Sequence, residues 1–202
     1  KQGMGVSGDI AVIGMAAKFP GADNTDEFWD NVKNGTDCIG EFPHNGRRED
    51  LEQLVTGKNS GKRVEYEKGA YLPTIDTFDY RFFRLSLNEA KCMNPAQRLF
   101  LETAWHSIED AGYTKEALAE SKTGIFVGYS SDFGEDYRKM AESCETELGG
   151  LISIGNVKSM IAARLAYALD LHGPSLLVDT ACSSSLMAVH LACRSLKEGE
   201  CS

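Results

Sequence analysis

The chain has 202 residues, 42% hydrophobic and 25% charged, which suits one domain or a large part of one with a buried core. Its formal net charge is −9, with no basic cluster beyond Arg47-Arg48 and Lys62-Arg63, so a nucleic acid held through its phosphates is excluded as a partner. No apolar run approaches the ~18 residues of a transmembrane helix, and the first eight residues lack the basic and apolar regions of a signal peptide. Neither nucleic acid nor membrane is therefore expected to bind. Residues 1–8 read as a Gly-rich linker stub, and 9–202 as the folded part.

Residues 9–16 are a near-continuous apolar run, the pattern of a strand covered on both faces. Asn24, with Glu27 three positions on, marks a helix start; Phe28, Trp29 and Val32 give its apolar stripe, and Gly35 ends it. Residues 40–70 are polar and Gly-containing, and read as a surface excursion. Ser86 and Glu89 form a capping box. Asn94-Pro95 opens a further helix with proline at its first position; Leu99, Trp105, Ile108 and Ala111 form its partial apolar face, and Gly112 closes it.

Residues 124–129 predict a buried strand, followed by a turn at Ser130-Ser131-Asp132. The polar stretch 132–150 reads as a second excursion. Residues 156–171 predict a helix whose only charges are Lys158, Arg164 and Asp170. Residues 175–178 predict a strand and 182–198 a helix, whose segment 186–196 is apolar on nearly every side and is expected to be buried between layers. Strands alternating with helices imply an α/β fold with a mainly parallel sheet.

Six cysteines (Cys38, Cys92, Cys144, Cys182, Cys193 and Cys201) form no C-x-x-C pair, and no histidine spacing completes a zinc site. No G-x-G-x-x-G or Walker pattern occurs. No metal and no bound cofactor are expected, and the thiols suit a reducing, cytoplasmic setting. Cys182 stands apart, because it joins the 175–178 strand to the following helix. Unpaired N–H groups and the helix dipole at such a junction favour a thiolate, hence a nucleophile. The same N–H groups, that of Cys182 included, can hold the oxyanion formed when a thioester carbonyl is attacked. The alternative is a buried, inert cysteine; the serines at 183–185 favour a true helix start. Of the histidines, His190 lies eight residues on, ~12 Å along the helix, while His44, His106 and His172 read as loop or helix-surface residues.

Asp179-Thr180-Ala181-Cys182-Ser183-Ser184-Ser185 resembles the active-site motif of β-ketoacyl synthases, in the form used by modular polyketide synthases. Further blocks resemble the same family: 9–15 with Phe19-Pro20-Gly21-Ala22, Phe28-Trp29, 93–99, 123–128, and Gly173-Pro174-Ser175. The resemblance implies a thiolase-like fold of two similar α/β halves, of which 9–202 is the N-terminal one, with the helix after Cys182 as a central buried helix. It implies acyl transfer from a carrier-bound phosphopantetheine to Cys182, then decarboxylative condensation with a malonyl-type thioester. That second step uses two histidines the family carries in its other half, so these residues alone are expected to be inactive. The implied partner is an acyl carrier protein, and the complete domain is implied to be a homodimer.

Within the motif, Asp179 and Thr180 are read as shaping the turn, and Asn156 and Lys158 as lying near substrate or dimer contacts. Asn94 and Ala96 depart from the family's usual Asp and Gln, and Leu87 from a frequent proline. The stretch 47–51 is closer to members whose acyltransferase is a separate protein. Three alternatives remain: a non-elongating, chain-transferring ketosynthase, a fatty-acid synthase ketosynthase, and a non-catalytic dimerisation or docking half-domain.

Overall fold

Side-chain caps set most of the helix boundaries in the computed structural model, which describes residues 8–43, 64–130 and 134–202. His44, Arg47, Arg48, Lys62, Arg63, the first seven residues and the turn at Ser131-Asp132 lie outside the described residues, as does the middle of the 40–70 excursion. The chain divides into two compact units, one of residues 16–77 and the other of residues up to Met15 with 78–202.

In the first unit, α1 (Thr25–Asn34) begins where the Asn24 side chain accepts the Glu27 N–H at 2.9 Å, and ends at Gly35 in the left-handed region, φ 64°. Both ends are therefore as expected. Its stripe is not buried, however: Trp29 and Val32 are exposed, and among the described residues only Phe28 finds an aromatic partner, stacking on Phe19. Gly40 and Gly69 bridge in antiparallel fashion, tying together the described ends of the excursion.

In the second unit, α2 (Leu87–Cys92) carries the complete capping box, with Ser86 and Glu89 satisfying each other's backbone N–H groups. The helix α3 (Pro95–Asp110) starts from Asn94, with proline at its first position. A short α4 (Lys115–Leu118) leads to β1 (Ile125–Gly128). Then come α5 (Gly134–Cys144), α6 (Gly149–Gly155), α7 (Met160–Leu169), β2 (Ser175–Val178) and α8 (Ser184–Glu198). The two strands pair in parallel, Ile125 with Ser175 through Gly128 with Val178, which meets the α/β expectation.

Alternation along β1 sends Ile125 and Val127 to one face and Phe126 and Gly128 to the other. The first face joins the core, where Leu101 from α3, Ile161, Leu165 and Leu169 from α7, and Met93, the residue after α2, are buried. The second face receives α8, so the sheet lies between α7 and α8. A buried polar knot fixes α3 to the α6–α7 connection: Gln97 donates to the carbonyls of Gly155 and Val157, and the Asn94 N–H donates to Gly155.

Four expectations are corrected. Residues 9–16 form no strand among the described residues and leave Val12, Ile13 and Met15 exposed, because no described segment offers them a hydrogen-bonding ladder. The polar stretch 132–150 is largely helical: α5 places Ala141 in a small second core with Cys92 and Ile152, and Tyr137 donates to the Lys91 carbonyl. The helix expected from residue 156 starts at Met160, because Asn156 is spent in a turn, donating to the carbonyls of Cys92 and Ile152. Finally, α8 is buried on one side only: Ser184, Ala188 and Ser195 are covered, while Leu186 is 78% and Val189 60% exposed. The sheet covers one flank, and no described residue covers the other.

Candidate active site

The segment 179–184 is a tight turn between the end of β2 and the start of α8, and its shape follows from its side chains. Ala181 sits in the left-handed region at φ 53°, a conformation L-residues other than glycine, asparagine and aspartate rarely hold unaided. Four side chains hold it there. The Asp179 carboxylate accepts the Ala181 N–H at 3.2 Å. The Ser184 hydroxyl donates to the Ala181 carbonyl at 2.7 Å and accepts the Thr180 N–H at 2.9 Å. The Ser183 hydroxyl reaches both the carbonyl and the hydroxyl of Thr180.

The helix itself starts at Ser184, two residues later than expected, so Cys182 lies on the turn just before it rather than in its first turn. Ser183 is the N-cap residue, but its hydroxyl bonds backward into the turn instead of capping the helix. Cys182 is a free thiol and exposed, which disposes of the buried-cysteine alternative. The bonds that fix the turn use the N–H groups of Thr180, Ala181, Ser183 and Ser184; that of Cys182 is not among them. An exposed sulfur at a helix entrance, beside an N–H that the bonds fixing the turn leave out, can attack a carbonyl carbon and offer a donor to the oxygen that becomes negative.

The floor of the turn is Gly128. A Cβ there would lie 2.6 Å from the Ser185 Cα and N, closer than side chains approach backbone, so only glycine lets α8 settle on β1. Asp179 has a further neighbour that the sequence reading missed, Ser130, just past β1, whose hydroxyl acts on its carboxylate. The Ser130 hydroxyl, then the Ala181 N–H, and then the positive field of Lys158 hold the Asp179 carboxyl below its ordinary range. The parallel register carried the signal, since Gly128 opposite Val178 puts Ser130 level with Thr180.

The remaining candidates lie elsewhere or serve the scaffold. Asn156 is committed to backbone carbonyls, whereas Lys158 acts electrostatically on Asp179. His106 is exposed on α3, His172 pairs with Asp170 at 3.2 Å before β2, and His190 is exposed on α8. No group of His, Cys, Asp and Glu among the described residues could hold a metal ion.

The family model described as "Beta-ketoacyl synthase, N-terminal domain" matches residues 7–202. The polyketide synthase GfsA of Streptomyces halstedii is 44% identical over 197 residues, which are 96% of this chain and 3% of that protein. PksL of Bacillus subtilis is 43% identical over 205 residues, 96% of this chain and 4% of its own length. Among solved structures, the oxazolomycin ketosynthase domain OzmH KS7 of Streptomyces albus superposes with TM-score 0.73 at 34% identity, covering 94% of this chain and 33% of that one. Ketosynthase twelve of the bacillaene synthase of Bacillus amyloliquefaciens gives TM-score 0.74 at 29% identity, covering 95% and 31%. The chain thus spans a few per cent of the curated relatives and about a third of the solved ketosynthase chains it matches.

Proposed function

We propose, from the premise that this chain belongs to the β-ketoacyl synthase family, that it supplies the nucleophile-bearing part of a polyketide ketosynthase. The observation that carries the reading is the exposed Cys182 on a turn whose shaping bonds use the N–H groups around it and not its own. In the first step the Cys182 sulfur attacks the thioester carbonyl of an acyl group presented on the phosphopantetheine of an acyl carrier protein. The Cys182 N–H steadies the oxyanion, the carrier thiol leaves, and the acyl group stays on Cys182.

The second step, decarboxylation of a malonyl-type thioester and attack of its carbanion on the acyl-enzyme, draws by family resemblance on two histidines outside the matched stretch. The similarity to polyketide synthases, whose modules work with carrier proteins, supports the choice of partner. Six free cysteines support a reducing, cytoplasmic setting. Dimerisation of the complete ketosynthase belongs to the same reading.

The test is intact-protein mass spectrometry of a complete ketosynthase carrying this chain, incubated with a short acyl thioester. One acyl group is expected on wild type and none on Cys182→Ala. Acylation of the variant to the same extent refutes the assignment. Adding a malonyl-loaded carrier then separates an elongating enzyme, which releases carbon dioxide, from one that only passes the chain on.

A further inference from the structure

We propose that the cavity beside α7, in the same unit as Cys182 but on the other side of the sheet, is a binding site for a small monoanionic carboxylate with an apolar body. The cavity has a volume of about 510 Å³, within the range of sites that take small organic molecules. It lies between α7, α3 and the segment before α2, and its apolar walls are Phe83, Leu85, Leu101, Met160 and Ala168. Phe83, Leu101 and Ala168 are buried and form the floor, while Tyr167, 84% exposed, stands at the rim. Helix α7 packs on the face of β1 opposite to α8, so the cavity shares no lining residue with the turn at 179–184.

Arg164 turns this apolar hollow into a specific site. Its Nε is fully buried and has no hydrogen-bond partner among the described residues. A guanidinium N–H withdrawn from water without an acceptor is costly, so it marks a place where an acceptor belongs. Burial pushes the Arg164 pKa down, and the field of Glu89 offsets that only in part. Glu89 is the one acid in the lining, and its carboxylate is already engaged by the Ser86 N–H at 2.8 Å. Arg84 lines the same cavity as a second guanidinium. Two cations against one carboxylate leave a single positive charge without compensation, which a carboxylate balances and a phosphate dianion exceeds. A carboxylate also matches the planar fork that a guanidinium presents. The hydrocarbon walls select an apolar body over a sugar or a nucleotide.

The experiment titrates hexanoate into a complete ketosynthase carrying this chain by calorimetry, beside hexanamide, which has the same shape and no charge. Both titrations are repeated with Arg164→Met, which keeps an unbranched apolar stem, and with Ala163→Phe, which fills the cavity from an exposed position on its wall. Wild type is expected to bind hexanoate saturably. Arg164→Met, and the amide on wild type, should each lose on the order of tenfold to a hundredfold in affinity, as removal of a charge-assisted hydrogen bond does. Ala163→Phe should bind neither compound. Unchanged hexanoate affinity in either variant overturns the inference, and so does an amide that binds as tightly as the acid. A wild type without saturable binding overturns it too, which is the result if another part of the complete protein fills the cavity. The two substitutions act independently, so if one variant does not fold the other still decides.

Discussion

Adding one methyl group beneath the nucleophile tests whether the packing of α8 on β1 sets the position of Cys182. In Gly128→Ala the new Cβ starts 2.6 Å from the Ser185 Cα and N and 2.7 Å from the Ser184 carbonyl carbon. These are backbone atoms of a helix start and cannot swing aside as a flexible side chain would. Carbon atoms pack at ~3.5–4.0 Å, so the entrance of α8 must retreat by about 1 Å. Overpacking of this kind costs ~1–3 kcal/mol of stability. The retreat carries Cys182 with it, and a shift of about 1 Å at a reacting atom lowers rate by ~100-fold, or about 2.7 kcal/mol of barrier. In a complete ketosynthase, Gly128→Ala should therefore melt lower and acylate Cys182 on the order of a hundred times more slowly at saturating thioester, read by intact mass. Gly149→Ala is the control, because a Cβ there meets nothing within 4 Å; at a helix start it should be neutral or stabilising by up to ~1 kcal/mol. If Gly128→Ala acylates and melts like Gly149→Ala, the packing argument is wrong.

Other outcomes follow from features away from the turn. Ser86→Ala removes one half of the capping box at α2 and should cost ~1 kcal/mol in denaturant unfolding. The Ser86 N–H, and then its hydroxyl, hold the Glu89 carboxyl below its ordinary range. The contribution of Glu89 is thus fully present above its unfolded pKa of about 4.3 and fades as pH falls through the lower folded value. The stability gap between wild type and Glu89→Gln should accordingly be constant from neutral pH down to about 5 and close in stronger acid. Asp170→Gly at the left-handed end of α7, φ 56°, should gain ~0.5 kcal/mol in thermal unfolding: glycine takes a positive φ more readily than aspartate, and only an exposed pair with His172 is given up. Isolated, the chain should bind a hydrophobic dye and self-associate on sedimentation, and Leu186→Lys with Val189→Lys should suppress both.

Elements whose boundaries are fixed by neighbouring residues were legible in the sequence. Asn24 with Gly35, Ser86 with Glu89, and Asn94 with Pro95 each satisfy orphan backbone groups within a single turn, so their meaning does not depend on the rest of the fold. The apolar run at 9–16 misled because a strand needs a partner, and composition does not say where that partner lies. The α5 helix was hidden by its polarity, since its one fully buried described anchor, Ala141, is small and the other, Tyr137, is half polar. At the site, Cys182 was legible because a helix entrance and its serines are local. Ser130 was not, because 49 residues separate it from Asp179 and only the pairing of β1 with β2 brings it to the turn.

The sulfur of Cys182 contributes nothing to the bonds that shape its own turn; Asp179, Thr180, Ser183 and Ser184 build the platform without it. The sulfur is thus a replaceable fixture on an independently assembled mount. Exchanging the Cys182 side chain for a hydroxymethyl or a methyl group should leave the mount undisturbed, which makes such variants decoys for capturing the proposed carrier before transfer.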